Sequence, residues 1–370
     1  MNLLKEIQRR IEERLEREPE KKESLIEFNE AKELINYSGE VLVSLAEPLR
    51  KHYYKNYVFV HILNNIRNGN CSEDCGYCIQ RKTQDSTEIP IYNYKTEEEI
   101  LKEAELAKKQ GAYRYCLVSS GKGTNRKLAL KYAEIIKKII KEINIKVCLS
   151  AGIITDPEVS KILKEAGLDR YNHNLNTSRK YYKNITTTHT YEEREITLKN
   201  LSNQNIGLCS GVIAGMGETY EDLIELALEL NRLGAESIPV NFFIPIPGHA
   251  VKNYKHLSEE ECLKILALFR LTNPKSEIRM AAGREIYLKE KQPIALKVAN
   301  SLFVSGYLNV KGSDVQSTLK MIYDNGFQLD PNSEIQINFY LQQTKGNSDL
   351  QEQMGIQLKT LQDLRPFFRK

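Results

Sequence analysis

TEEEILKEAELAKKQ (Thr96–Gln110), followed after Gly111 and Ala112 by YRYCLVS (Tyr113–Ser119), orders the rest of the chain. The first stretch is amphipathic, rich in Lys and Glu and of helical length. The second is short and rich in aromatic and aliphatic residues, and it reads as a strand. The same alternation extends in both directions. Strand candidates fall at Tyr57–Asn64, Tyr113–Ser119, Ile145–Ala151, Leu168–Asn174, Ile206–Ile213, Glu236–Asn241, Glu277–Ala281 and Leu302–Tyr307, with amphipathic stretches such as Thr219–Leu233 between them. Strands that each lead into a helical or loop segment predict an α/β fold, a TIM-type (β/α)8 parallel barrel over residues 57–330. A doubly wound open sheet is the alternative. Residues 1–56 are charged and periodic without a strand signal, which predicts an N-terminal helical extension. Residues 331–370 are rich in Gln, Asn and Lys and carry no motif, which predicts a C-terminal tail, peripheral or partly mobile.

The chain has 370 residues, 41% of them hydrophobic, enough for a sizeable core. Its 53 Lys and Arg are nearly matched by 49 Asp and Glu, which leaves no nucleic-acid footprint. No apolar run has the length of a membrane span, and the N-terminus has no signal-peptide pattern. Seven cysteines, an odd number, fit metal-bound thiols in a reducing cytoplasm better than disulfides.

Three of those cysteines share one short stretch, Asn-Cys-Ser-Glu-Asp-Cys-Gly-Tyr-Cys, at Cys71, Cys75 and Cys78 with Tyr77 before the last thiol. Zinc usually takes four Cys or His ligands, often as two C-x2-C pairs, and no second pair lies nearby. Three thiolates can hold three corners of a [4Fe–4S] cluster and leave the fourth iron open. Reductive cleavage of S-adenosylmethionine requires such a vacancy, and this C-x3-C-x2-C spacing is the signature of radical S-adenosylmethionine enzymes.

Cys116, Cys148 and Cys209 each fall inside a predicted strand. Residues two apart share a strand face. Cys116 therefore lies with Arg114 and Val118, Cys148 with Lys146 and Ser150, and Cys209 with Gly207 and Gly211. The opposite faces carry Tyr115, Leu117, Val147, Leu149, Leu208 and Ser210, mostly apolar and suited to packing under a helix layer. The cysteine faces, with two cationic side chains, are then expected to line the barrel interior, which structural barrels fill with Val, Ile and Leu. Glu277, Arg279 and Ala281 share a face in the same way. Ordinary buried cysteines are the alternative for this set, and that reading holds for Cys262 on an amphipathic helix.

The C-terminal ends of strands build the site in such a barrel. Tyr171-Asn172-His173-Asn174-Leu175-Asn176 ends the fourth strand, and Asn172 and Asn174 share a face; turn chemistry is the alternative. Gly215 and Gly217 follow the fifth strand, where glycine lets backbone approach a ligand or make a tight turn. Asn241 ends the sixth, near Pro245 and Pro247. His52, His61, His249 and His256 show no ligand spacing and read as structural or surface residues.

Cys-Ser-Glu-Asp-Cys-Gly-Tyr-Cys-Ile-Gln, Tyr-Asn-His-Asn-Leu, Leu-Cys-Ser-Gly-Val-Ile-Ala-Gly-Met-Gly-Glu-Thr and Arg-Met-Ala-Ala-Gly-Arg-Glu together resemble the biotin synthase family over about residues 55–325. The resemblance implies a [4Fe–4S] cluster on Cys71, Cys75 and Cys78, and a [2Fe–2S] cluster on Cys116, Cys148, Cys209 and Arg279. It implies contacts to S-adenosylmethionine from Tyr77, Asn174, Asn176, Gly215 and Gly217, and substrate contacts from Asn172 and Asn241. The implied reaction is radical sulfur insertion: a 5′-deoxyadenosyl radical abstracts hydrogen from dethiobiotin, and the interior cluster supplies sulfide to make biotin. No side-chain acid, base or nucleophile is required for the C–H step. A flavodoxin-like electron donor and a homodimer are the implied partners. Three positions depart from the family. Asn176 stands where Asp is usual, Asn309 and Val310 replace two threonines near the substrate carboxylate, and Ser119–Gly121 replaces the Gly-Gly-Glu of the wider superfamily. A related radical enzyme acting on another small molecule, and a cluster-binding electron carrier, are the alternatives.

Overall fold

The alternation in the sequence closes on itself. The computed structural model describes residues 3–17, 23–82, 88–334, 337 and 356–368. The barrel strands are β1 (Tyr57–Arg67), β2 (Arg114–Ser119), β3 (Lys146–Ser150), β4 (Arg170–Asn172), β5 (Gly207–Cys209), β6 (Val212–Ala214), β7 (Ser237–Phe242), β8 (Glu277–Met280) and β9 (Ser301–Phe303). All pairings are parallel, and β9 returns to β1 through Phe59↔Ser301, Val60↔Leu302 and His61↔Phe303. β5 and β6 both pair with β7 and form one stave, so the barrel has eight. The open-sheet alternative is excluded by the closing pair.

The fifth predicted strand, Ile206–Ile213, is broken at Ser210–Gly211. A Cβ on Gly211 would sit 2.0 Å from the Pro239 carbonyl oxygen, so only glycine lets the chain pass there. The last strand stops at Phe303 rather than Tyr307, because Ser305, Gly306 and Leu308 take left-handed backbone angles and turn the chain.

Helices α4 (Glu97–Lys109), α5 (Arg126–Lys138), α6 (Pro157–Glu165), α7 (Tyr191–Asn203), α8 (Tyr220–Arg232) and α9 (Glu259–Thr272) surround the barrel. Reciprocal caps start several of them: Thr96 with Glu99, Thr190 with Glu193, Thr219 with Asp222 and Ser258 with Glu261. The helix layer rests on Tyr115, Leu117, Val147, Leu149 and Leu208, all buried in the main core, as the strand alternation predicts. Cys262 lies in the same core.

Residues 28–54 form two further helices, Phe28–Leu34 and Gly39–Tyr54, after a first at Leu3–Arg17. Gly39–Tyr54 packs closely on α9: a Cβ at Gly39 would lie 2.8 Å from Leu263 Cβ. Much of the expected tail, 335–336, 338–355 and 369–370, lies outside the described residues. Residues 356–368 return to the barrel mouth. Leu358 bridges to Val310 and packs near Ile79, Ile244 and Ile246, and Arg365 forks onto Glu99 at 2.9 and 2.7 Å. Among the described residues no helix is long and apolar enough to cross a membrane.

Candidate active site

The three clustered cysteines occupy the loop that leaves β1 at the C-terminal end of the barrel. The loop is held by its own backbone, with Cys71 N–H donating to Gln80 O at 2.8 Å and Cys78 N–H to Cys75 O at 3.0 Å. It is tied to the turn before α7 by Asp74. That carboxylate accepts from Thr186 Oγ1 at 2.7 Å, Thr187 N–H at 3.0 Å and Thr188 N–H at 3.2 Å. Partial burial opposes the Asp74 charge, but the Thr187 and Thr186 bonds outweigh it and hold the carboxyl well below its ordinary range. Burial pushes the Cys78 thiol up to about 12, and raises Cys75 as well. A metal held by these thiols would therefore displace protons.

All three thiols border one cavity over the barrel mouth, with Tyr77, Asn172, His173, Asn174, Asn176, Arg194, Asn241 and Asn309 also in its wall. Among the described residues no three Cys, His, Asp or Glu side chains converge as a single metal ion needs. The thiols instead surround a space, as a multi-iron cluster demands.

The structure brings most of the expected residues to this cavity. Asn176 Nδ2 donates to Tyr77 Oη at 2.7 Å, joining the cysteine loop to the end of β4. Asn172 Nδ2 donates to Asn174 Oδ1 at 3.0 Å and to Cys209 Sγ at 3.2 Å. Asn241 gives Nδ2 to Val212 O at 2.8 Å and accepts at Oδ1 from Ala282 N–H at 3.2 Å, which leaves its second amide hydrogen for a ligand.

Gly215 and Gly217 correct the sequence reading: neither lines the cavity. Their positive φ angles fit a turn packed against the chain's own loop, where a Cβ would meet Lys255 O at 3.0 Å and Asn253 O at 2.6 Å respectively. The glycines admit a close backbone neighbour, but that neighbour is residues 253–255.

Below the cavity, Cys116 and Cys148 are register partners on β2 and β3, and Cys209 on β5 pairs with Asn172 on β4. Cys116 leads in raising the pKa of the Cys148 thiol, and Cys209 opposes it. Arg279 Nη1 on β8 reaches Cys209 Sγ at 3.8 Å. The four residues are buried together. Of the two cations expected inside, Arg114 is buried and Lys146 is not. Lys146 starts β3 at the barrel's open lower end, where its ammonium reaches water while bonding Tyr113 Oη at 2.7 Å. Arg170, the register partner of Cys148, supplies the second interior cation.

Arg194, His61 and His249 carry no site signal in the sequence, and Asn309 enters only as a departure from the family pattern. Arg194, on α7, donates to the Asn174 carbonyl at 2.7 Å and to His189 Nε2 at 2.9 Å, and its charge meets the cavity beside Cys75. Asn309 Nδ2 is buried without a partner, while its Oδ1 accepts from Asn68 at 2.8 Å. His61 is fully buried rather than a surface residue, and burial, then Arg279, push it down to about 3. His249 borders the cavity and accepts from Ile246 N–H at 2.9 Å. Helical or turn spacing alone does not tell which face of α7 or of the 307–310 turn meets the cavity.

Comparison with known proteins agrees with this geometry. Residues 65–230 match the Radical SAM superfamily model, and residues 239–328 match the Biotin and Thiamin Synthesis associated domain. The chain is 55% identical to a biotin synthase of Leptospira interrogans over 75% of this chain and 79% of that one. The chain belongs to the biotin synthase family. It is 52% identical to a biotin synthase of Leptospira biflexa, over 81% of this chain and 86% of that one. A biotin synthase of Acaryochloris marina is 48% identical, over 78% and 83%. Methylornithine synthase shares the fold, with TM-score 0.71 at 17% identity over 90% of this chain and 99% of the other. As a family member the chain is an enzyme, a sulfurtransferase, whose cofactors are a [4Fe–4S] cluster, S-adenosylmethionine and a [2Fe–2S] cluster. The donors present fit that set: one group of three thiols around an open cavity, and a second group of three thiols and a guanidinium closed off beneath it.

Proposed function

We propose that this chain converts dethiobiotin to biotin, with sulfur drawn from a cluster held by Cys116, Cys148, Cys209 and Arg279. The observation that carries the reading is the stacking of two thiol sets along one barrel axis. The upper set faces the cavity and the lower set lies buried deeper in the barrel, linked to the cavity wall by the bond from Asn172 to Cys209. When bound, S-adenosylmethionine and its cluster supply a carbon-centred radical; the remaining work is binding and orientation by the chain itself.

Cys71, Cys75 and Cys78 hold the upper cluster. Arg194 places a half-buried cation at the cavity wall, where it receives the carboxylate of S-adenosylmethionine. Tyr77 and Asn176 brace each other beside it, and Asn176 in place of Asp preserves the pair because the tyrosine hydroxyl accepts from the amide. Asn172 and Asn241 offer donors and acceptors that match a ureido ring, with Asn174 on the S-adenosylmethionine side. The unpartnered Nδ2 of Asn309 supplies the donor for the dethiobiotin carboxylate and so replaces the family's threonines. The barrel wall and the turn at 307–310 keep water from the radical.

A flavodoxin-like protein delivers the electrons, the working form is a homodimer, and the enzyme acts in the cytoplasm; the family resemblance supports the first two points and the seven free thiols the third. The test is anaerobic reconstitution with iron and sulfide, followed by incubation with S-adenosylmethionine, reductant and dethiobiotin. Biotin formed together with methionine and 5′-deoxyadenosine supports the reading. Deoxyadenosine without biotin points to another substrate, and neither product rejects it.

A further inference from the structure

The barrel floor carries charges that sulfur insertion, as described above, does not use. Glu277 starts β8 and is 3% exposed. One carboxylate oxygen, Oε1, accepts from His61 Nε2 at 2.9 Å, from Ser237 Oγ at 3.3 Å and from Arg279 Nη2. The other, Oε2, accepts from Arg170 Nη1 at 2.5 Å and from Arg114 Nη1 at 3.5 Å. Arg114 also bonds Asp169 at 2.6 Å. Arg170 Nε also lies 3.8 Å from Glu236, so three guanidiniums face three carboxylates beneath three thiols that become anionic on binding iron.

A buried carboxylate so close to those thiols repels them, and burying its charge is costly unless it is fully paired. Its position is accounted for by what it holds. With Nη2 of Arg279 fixed on Glu277, Nη1 of the same guanidinium is turned to Cys209 at 3.8 Å. His61 Nε2 lies 2.9 Å from Glu277 and 3.3 Å from Arg279 Nη2, and this holds the ring with Nδ1 turned to Cys116 at 3.9 Å. One side chain therefore sets the orientation of groups facing two of the three thiols.

We propose that Glu277 is the positioning residue of the interior cluster: it aims Arg279 and His61 at the thiols, and its charge lowers the cluster's reduction potential against the surrounding arginines. The inference rests on the reading of Cys116, Cys148, Cys209 and Arg279 as cluster ligands. Net charge and hydrogen bonds near a cluster are the protein's means of setting its potential.

The test compares reconstituted wild type, Glu277→Gln and Arg170→Met by iron and sulfide count, Mössbauer spectrum and spectroelectrochemical titration. If the wild type holds no [2Fe–2S] signal, the ligand reading itself fails. If it does, Glu277→Gln is expected to shift the interior midpoint upward and alter its Mössbauer parameters, with the upper cluster unmoved. Arg170→Met, at a less buried position, is expected to shift the interior midpoint downward. Should Glu277→Gln fail to assemble the cluster, the Arg170→Met shift decides. An interior midpoint that both variants leave unchanged, or that Arg170→Met alone leaves unchanged when the other does not assemble, overturns the proposal.

Discussion

Asn172 Nδ2 lies 3.2 Å from Cys209 Sγ and 3.0 Å from Asn174 Oδ1, so one amide joins the cavity wall to the interior thiols. A hydrogen bond to a group that becomes charged contributes about 1.5–3 kcal/mol. Asn172→Ala is expected to cut biotin formation by roughly 10- to 150-fold on that energy, while uncoupled cleavage of S-adenosylmethionine continues. Parallel assays of biotin and 5′-deoxyadenosine check this; equal loss of both products contradicts it.

Cys148 on β3 stands between Cys116 on β2 and Cys209 on β5 in the strand order. Cys148→Ala is expected to remove the lower cluster and leave the upper one. Cys75→Ala is expected to do the reverse and abolish deoxyadenosine formation. Iron counts with Mössbauer spectra of both variants distinguish the two losses.

Asp74 satisfies three threonine hydroxyls and the backbone of Thr187 and Thr188 with a single carboxylate. Asp74→Ala leaves those donors unmatched, at about 1–3 kcal/mol for each one kept from water. The cysteine loop is then expected to loosen and to retain less iron in the upper cluster during gel filtration. Iron retained at the wild-type level contradicts the assigned role.

The C-terminal segment 356–368 is expected to govern substrate affinity. Lys311 N–H donates to Gln357 O and Lys359 N–H to Asn309 O, each at 2.8 Å, so the segment fixes the turn that presents Asn309. Its anchor is the Arg365 fork on Glu99, with Arg365 also over the rings of Tyr92 and Phe368. Arg365→Ala is expected to raise KM for dethiobiotin with little change in KM for S-adenosylmethionine, and to speed proteolysis after residue 355.

The same anchor has a pH dependence. Burial opposes the Glu99 charge, but the Arg365 fork and the Thr96 backbone outweigh it, so its folded pKa lies below the ordinary value. Its contribution is complete above the unfolded glutamate value of about 4.3 and is lost as pH falls through the folded one. Proteolysis of the segment is therefore expected to accelerate in acid below about pH 4, and Arg365→Ala is expected to remove that dependence.

Much of the barrel is legible in the chain because strand alternation and helix caps are local. The faces of Cys116, Cys148 and Arg279 follow from a period of two and meet inside as that period demands. The break at Gly211 is not legible, because it depends on the Pro239 carbonyl across the stave. Lys146 fails for a similar reason: sharing a face with Cys148 does not tell how far down the barrel it sits. Gly215 and Gly217 show the limit of motif reading, since glycine reports a close neighbour without telling which one. Asn309, Arg194 and Glu277 gain their roles from partners more than 15 residues away, beyond any local pattern.

The most direct test is to reconstitute the protein with isotopically labelled sulfide, remove free sulfide, and run a single turnover while following the interior cluster by Mössbauer spectroscopy. The account predicts labelled biotin, formed as the [2Fe–2S] signal declines and the [4Fe–4S] signal persists. Biotin without label, or labelled biotin formed while the interior signal stays constant, contradicts it.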